Sequence, residues 1–386
     1  MTMPDYDAII IGAGSIGVPT AMALAEKGVK TLVLDKHPSA GQGENKHAIG
    51  GIRATHSDPA KVLVCLRSLE IFSTWQDSFG HEIEWLKGGY VFPVYREEEE
   101  KLLKSFLPFQ QKFGLNIAFK NSDDIAAVVP GINREGLIGG TISPDDGTAS
   151  PLLTGNAFFQ RASALGVKFQ FRTEVSDILR VKGAVTGVKT PDGSFSAPVV
   201  IDAAGPYSAI LNKSIGVEIP VFPESHEAAV TEPVRMFCPA MVVDMRPAKG
   251  SLNYYYYQNK HGQLIFCITP DPPIKGTSHD ETSVFLPQVC SRMVNLMPRL
   301  KNIRVRRVWR GLYPTTPDGS PFVSWNREIK GLLHATGMCG QGFMLGPGVG
   351  EVVARMVTGT ESENDRIILE KFDLYRDLSS GMEALK

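Results

Sequence analysis

The stretch that decides the fold is Asp7-Ala8-Ile9-Ile10-Ile11-Gly12-Ala13-Gly14-Ser15-Ile16-Gly17. A short β-branched run of this kind reads as a parallel strand buried on both faces. The glycine-rich turn follows at once. An alanine-rich stretch from Val18 to Lys27 then reads as a helix that Gly28 closes, and a second strand from Lys30 to Leu34 ends at Asp35. Each glycine has a physical task. Gly12 permits the tight turn, Gly14 lets the backbone come close to a pyrophosphate, and Gly17 lets helix and strand pack tightly. The helix start, with Ser15 and Ile16 in the turn, offers free N–H groups and a positive dipole end to phosphates. Asp35, followed by Lys36, is placed to accept from a ribose diol. Strand, turn, helix, second strand and acid occur in order, so the unit is expected to hold a dinucleotide.

Outward from this unit, 386 residues suggest two interleaved domains. Hydrophobic residues make up 43% and charged residues 21%, with a formal net charge of −1. That balance gives no electrostatic reason to expect nucleic acid or an anionic membrane as partner. The five cysteines, Cys65, Cys238, Cys267, Cys290 and Cys339, are widely spaced without a Cys-x-x-Cys pair. Neither a disulfide framework nor a metal site is expected from them. No apolar stretch approaches the ~20 residues that span a bilayer, and the opening residues carry no basic, apolar leader pattern. A cytoplasmic protein is expected.

Three later segments favour FAD over NAD, the first two because they resemble motifs of flavoproteins. Val199-Val200-Ile201 leads into Asp202-Ala203-Ala204-Gly205-Pro206, a strand followed by Ala-x-Gly; Thr316-Pro317-Asp318-Gly319-Ser320-Pro321 is a compact turn; and the strand Leu332–Ala335 runs into Gly337–Met344, a glycine-dense loop before a helix. Backbone donors in such a loop can stabilise negative charge on a reduced flavin ring, so Gly340, Gln341, Gly342, Phe343 and Met344 are expected against the cofactor.

With these motifs the chain resembles the D-amino-acid oxidase superfamily, in the branch with glycine oxidase, sarcosine oxidase and dimethylglycine dehydrogenase. It is most similar to the β subunits of hetero-oligomeric sarcosine oxidase and archaeal L-proline dehydrogenase. The resemblance runs from Tyr6 to Val357 and includes Gly51-Ile52-Arg53, Pro223-Glu224-Ser225-His226-Glu227, and Gly340–Met344 with Gly348-Val349-Gly350-Glu351. It implies a Rossmann-type FAD-binding domain, a parallel sheet with helices, from residues 1–80, 146–215 and 326–386. A discontinuous antiparallel-sheet substrate domain then comes from residues 81–145 and 216–325.

The implied activity is oxidation of the C–N bond of a small secondary or N-methylated amino acid to the imine, with hydride passing to flavin N5. Arg53 matches an arginine that holds substrate carboxylate, Tyr255 a substrate-facing tyrosine, and His226 a histidine of the proline dehydrogenase pattern. Arg310 is the next arginine to consider as anchor. His47 and Ala48, with Gly50 and Gly51, resemble the segment through which dimethylglycine dehydrogenases attach flavin covalently. The match is partial, and Gly311 stands where single-chain sarcosine oxidase has its flavin-linking cysteine, so FAD is expected to be held non-covalently. Val175, Ala204, Gly205 and Gly311 are expected beside it. Met344 and Ile265 stand where sarcosine oxidases carry lysines, which favours a dehydrogenase passing electrons to a partner subunit or other acceptor over an oxidase. Two alternatives stay open: an FAD enzyme for 2-hydroxy acids or glycerol 3-phosphate, and a non-catalytic electron-relay subunit of a larger complex.

Overall fold

The computed structural model describes residues 4–379 and 383–385. Met1–Met3, and residues 380–382 and 386 within the third FAD-domain segment, lie outside the described residues. The opening strand, Ala8–Ile11, is the centre of a six-stranded sheet ordered Phe322–Trp325, Leu332–Thr336, Val199–Asp202, Ala8–Ile11, Thr31–Asp35, Lys168–Phe171. Every pair is parallel except the edge pair of Phe322–Trp325 with Leu332–Thr336. The strand is apolar at every position because both of its faces are covered. Ala8 and Ile10 join the core beneath the helices, while Ile9 and Ile11 pack toward the three-stranded sheet of Asp177–Val181, Ala184–Thr190 and Gly193–Ser196. That small sheet starts with a two-residue turn in which Lys182 and Gly183 both have positive φ (51° and 77°), the backbone twist that fits a tight hairpin.

Helices Gly17–Glu26, Pro59–Phe79, Pro151–Ala164 and Gly342–Thr358 cover the other face. Two of them meet through glycine. A Cβ on Gly346 would stand 2.0 Å from the Ser15 carbonyl oxygen, and one on Gly350 2.8 Å from Pro19 and Thr20 backbone atoms. Helix Gly342–Thr358 therefore lies directly on the start of helix Gly17–Glu26.

The second layer is an eight-stranded sheet ordered Val305–Thr315, Phe222–Pro233, Gln263–Pro270, Ser251–Gln258, Met241–Asp244, Tyr90–Val94, Gly139–Ser143, Ala118–Asn121. It is antiparallel apart from the pairing of Met241–Asp244 with Tyr90–Val94. Helix Phe285–Leu296 packs on one face of it; the other face looks at the nucleotide domain. The four consecutive tyrosines divide by strand alternation. Tyr254 and Tyr256 are fully buried in the core with Phe285 and Val289, whereas Tyr255 and Tyr257 turn to the opposite face.

Phe322–Trp325, expected in the substrate domain, pairs antiparallel with Leu332–Thr336 at the edge of the six-stranded sheet. The edge strand and its partner form a hairpin, and register with a local partner places the strand more firmly than composition does. No helix among the described residues is long and apolar enough to cross a membrane.

Candidate active site

A cavity of about 880 Å³ runs between the two layers, from the glycine turn to the inner face of the eight-stranded sheet. At its nucleotide end Gly12 has φ 109° and could carry no side chain, since a Cβ would lie 2.4 Å from the Ala203 oxygen. A Cβ on Gly14 would meet nothing within 4 Å: this glycine faces open groove. Gly17 does not line the cavity. Its would-be Cβ lies 1.8 Å from the Gly12 oxygen, so it acts by letting helix and turn close up. The Asp35 carboxylate accepts the Ala13 and His37 backbone N–H groups, both at 2.7 Å, and keeps further lone pairs for a ribose diol at the cavity wall. Lys36 sits 3.5 Å over the Tyr207 ring. Ser15, Ile16, Val175, Ala204 and Gly205 complete this end.

The middle of the cavity is bounded by His47, Ala48, Gly50, Gly51 and Gly311 on one side and by Gly340, Gln341, Gly342, Phe343 and Met344 on the other. Thus the turn ahead of helix Gly17–Glu26, through Ser15 and Ile16, and the start of helix Gly342–Thr358 border one cavity, and both bring positive dipole ends to it. An open groove at Gly14, an acid for a diol and two helix N-termini suit a dinucleotide carrying a ring that gains negative charge. The residues present fit FAD.

At the far end the inner face of the large sheet supplies Tyr255, Tyr313, His226, Cys267, Met241 and Val243. Tyr255 and Tyr313 hydroxyls are 3.0 Å apart, and the Cys267 thiol lies 3.0 Å from the Tyr255 hydroxyl. The His226 ring stacks on Tyr313 at 3.7 Å between centroids. Tyr313 in turn reaches the glycine-rich loop, for a Cβ on Gly340 would stand 2.1 Å from its ring. Burial pushes the Tyr255 and Tyr313 phenols well above their ordinary range, so both act as neutral donors or acceptors at physiological pH.

Arg53 lies at the cavity floor, only 5% exposed. Its guanidinium donates to the backbone carbonyls of Thr55 and Leu385. Beneath it Asp146 accepts the Ala54 N–H and the Thr55 hydroxyl, both at 3.0 Å, and burial pushes its carboxyl up to about 7. The tail carrying Leu385 is pinned next door. Glu383 meets Lys61 at 2.9 Å with both side chains fully buried, and it accepts the Ser57 N–H and hydroxyl. Arg310 does not reach the cavity; it donates to the Asp280 carbonyl. Lys260 pairs with Glu82 at the surface.

Sequence reasoning missed Tyr313, Cys267, Met241 and Val243. Strand alternation carries the signal for Tyr313, two residues from Gly311, and for Cys267, paired with Tyr255. The turn Thr316–Pro321 proves to be a structural hub: Asp318 forms a fork with Arg376 at 2.7 and 2.8 Å, and Lys61 donates to the Gly319 carbonyl at 2.7 Å. The described cysteines are all free.

Compared with known proteins, residues 7–356 match the family model described as FAD dependent oxidoreductase, DAO. The chain belongs to the DAO family. It is therefore an FAD-dependent oxidoreductase, as the cavity indicates. Among DAO-family relatives, glycine oxidase of Geobacillus kaustophilus is 26% identical over 98% of this chain and 99% of its own. The mitochondrial sarcosine dehydrogenase of Homo sapiens is 22% identical over 96% of this chain but 41% of its own. Among solved structures, L-proline dehydrogenase from P. horikoshii superposes with a TM-score of 0.91 at 29% identity, covering 99% of this chain and 100% of that one.

The purified DAO-family protein is expected to be yellow and to release intact FAD on acid precipitation, because Gly311 offers no sulfur and His47 faces Glu44, with its Nδ1 3.3 Å from that carboxylate. Flavin absorbance left on the denatured chain would show attachment through His47.

Proposed function

We propose that this enzyme oxidises the C–N bond of a small secondary or N-methylated amino acid to the imine, and that it works as a dehydrogenase. The observation that carries the reading is the make-up of the far chamber. A mostly apolar and aromatic roof of Tyr255, Tyr313, Met241 and Val243 stands over a glycine-rich floor, with one guanidinium, that of Arg53, at the base. Such a chamber takes a small apolar body with an anionic end. The Arg53 guanidinium carries more N–H donors than the two given to Thr55 and Leu385, and the rest suit a carboxylate, while the Tyr255–Tyr313 hydroxyl pair offers neutral polar partners to an uncharged nitrogen. Met344 at the floor adds bulk without charge. When bound, FAD supplies the hydride acceptor; the chain's part is to hold the substrate's α-carbon against it and exclude water. The match to L-proline dehydrogenase over the whole chain supports a cyclic or N-alkylated amine.

The dehydrogenase reading rests on the roof near Cys267. Ile265 lies on the same side of that strand and packs with Tyr255 and Met241. The lysines lining the cavity are Lys36, stacked on Tyr207, and Lys275, on an exposed loop. No lysine stands at the roof among the described residues. A cation beside the ring would stabilise developing superoxide, and at low dielectric its absence slows reoxidation by of order a hundredfold or more.

The test is an anaerobic screen. L-Proline or sarcosine should bleach the flavin, 2-hydroxyglutarate and glycerol 3-phosphate should not, and the bleached enzyme should reoxidise quickly with a dye and slowly with O2. Bleaching by a hydroxy acid alone would move the assignment to C–O oxidation. Bleaching by no substrate would favour an electron-relay subunit.

A further inference from the structure

Glu44 and His47 occupy one 3₁₀ turn, Glu44–His47. With three residues per turn, side chains three apart lie on one edge, so a carboxylate and an imidazole project together. Nothing leaves this turn loose. The His47 carbonyl accepts the Trp309 indole N–H at 2.8 Å, Glu44 accepts the Leu312 N–H at 2.7 Å, and Gly311 gives His47 room, since a Cβ there would be 2.6 Å from that of His47. From the other domain His279 comes to the same place. Its Nε2 lies 3.1 and 3.3 Å from the two Glu44 oxygens, and its ring centroid is 5.0 Å from that of His47. The loop around it is held on both sides, by the Ser225 hydroxyl to Ser278 and by Glu227 to Thr282.

One ring nitrogen each of His47 and His279 and a Glu44 oxygen lie within 4.8 Å of one another. Ligand atoms on a tetrahedral zinc ion are each about 2.0–2.2 Å from it, and so roughly 3.3 Å from one another. Measured to the same oxygen, Glu44 Oε2, His47 Nδ1 and His279 Nε2 both stand at 3.3 Å, which matches that edge. An ion pair alone accounts less well for the arrangement. Two imidazoles, with His47 Nδ1 buried and 3.3 Å from the carboxylate, share one carboxylate that already accepts a backbone N–H.

We propose that Glu44, His47 and His279 bind a divalent transition-metal ion of the zinc class. Two imidazoles and one carboxylate favour such an ion over calcium or magnesium, which prefer all-oxygen ligands, and three protein ligands leave a fourth position for water. The Leu312 N–H on Glu44 orients the carboxylate as an outer partner. Glu44 and His47 line the FAD cavity, and the loop bearing His279 borders its mouth through Pro273 and Lys275. The ion would clamp that loop to the nucleotide domain and close the cavity from above.

The test uses tag-free, FAD-loaded protein freed of metal with a chelator. Calorimetric titration with ZnCl₂ should show one site per chain with Kd near or below about 1 µM, weakened roughly 30-fold or more in His279→Ala and in Glu44→Gln. Retained FAD in His279→Ala, a substitution on an exposed loop, shows that the fold is intact. Zinc should also slow tryptic cleavage after Lys275 in the wild type but not in His279→Ala. A wild-type Kd above about 100 µM, or equal affinity in wild type and both variants, overturns the site. Tight binding without protection at Lys275 overturns the clamp.

Discussion

Glu383→Ala is expected to destabilise the protein by about 3–5 kcal/mol, as removal of one partner from a fully buried ion pair does. The lost partner leaves the Lys61 ammonium, 0% exposed, with the Gly319 carbonyl at 2.7 Å as its remaining hydrogen-bond acceptor among the described residues. The double variant Lys61→Met with Glu383→Leu should recover most of the loss, because it removes the stranded charge with its counter-ion. A thermal midpoint for Glu383→Ala within a degree of wild type would show that the tail contributes no stability. The same pair has a pH signature. Burial alone would push the Glu383 carboxyl up, but the Lys61 charge and the Ser57 hydrogen bonds outweigh it and hold the group far below the usual carboxylate range. A carboxyl whose folded pKa is depressed contributes fully above its unfolded pKa, about 4.3, and loses that contribution as pH falls below it. The midpoint difference between wild type and Glu383→Ala should therefore shrink on acidification below about pH 4.

Arg53→Ala is expected to raise KM for a carboxylate substrate by roughly 30- to 700-fold, the equivalent of about 2–4 kcal/mol for a lost charge-assisted anchor, while FAD stays bound. The contacts of Arg53 add a complication that a second variant resolves. The guanidinium also holds the Leu385 carbonyl, so its loss frees the tail as well as the floor of the chamber. Glu383→Ala frees the tail and leaves the guanidinium in place. If both variants raise KM equally, Arg53 acts by fixing the tail. If Arg53→Ala alone raises it, the guanidinium is the anchor. A KM change under about threefold in Arg53→Ala would remove it from substrate binding altogether.

What the sequence makes legible follows from whether a residue's task is local. The glycine turn, Asp35 and the loop Gly340–Met344 carry their chemistry in short contiguous spans, where backbone spacing and helix starts dictate the role, and they line one cavity. The chamber roof is different. Tyr313, Cys267 and Met241 converge from three strands, and only the pairing register tells which face each presents. Four adjacent tyrosines leave that face open until the core beneath Tyr254 and Tyr256 is known. The contacts of Arg53 and Lys61 with residues 383–385 span most of the chain and have no periodic signature at all. His279 lies in an irregular loop, so its approach to Glu44 and His47 is likewise a matter of tertiary placement.

The glycine contact between the first and last long helices has a consequence for synthesis. The fingerprint at residues 12–17 leaves the ribosome well before the walls that complete its groove, which come from Ala203–Gly205 and from the loop and helix start at Gly340–Met344. Pairings of such wide sequence separation form slowly, after the intervening chain has been ordered. FAD capture thus waits for residues 340–344, and a chain truncated before residue 340 would carry the nucleotide fingerprint intact and still emerge without its flavin.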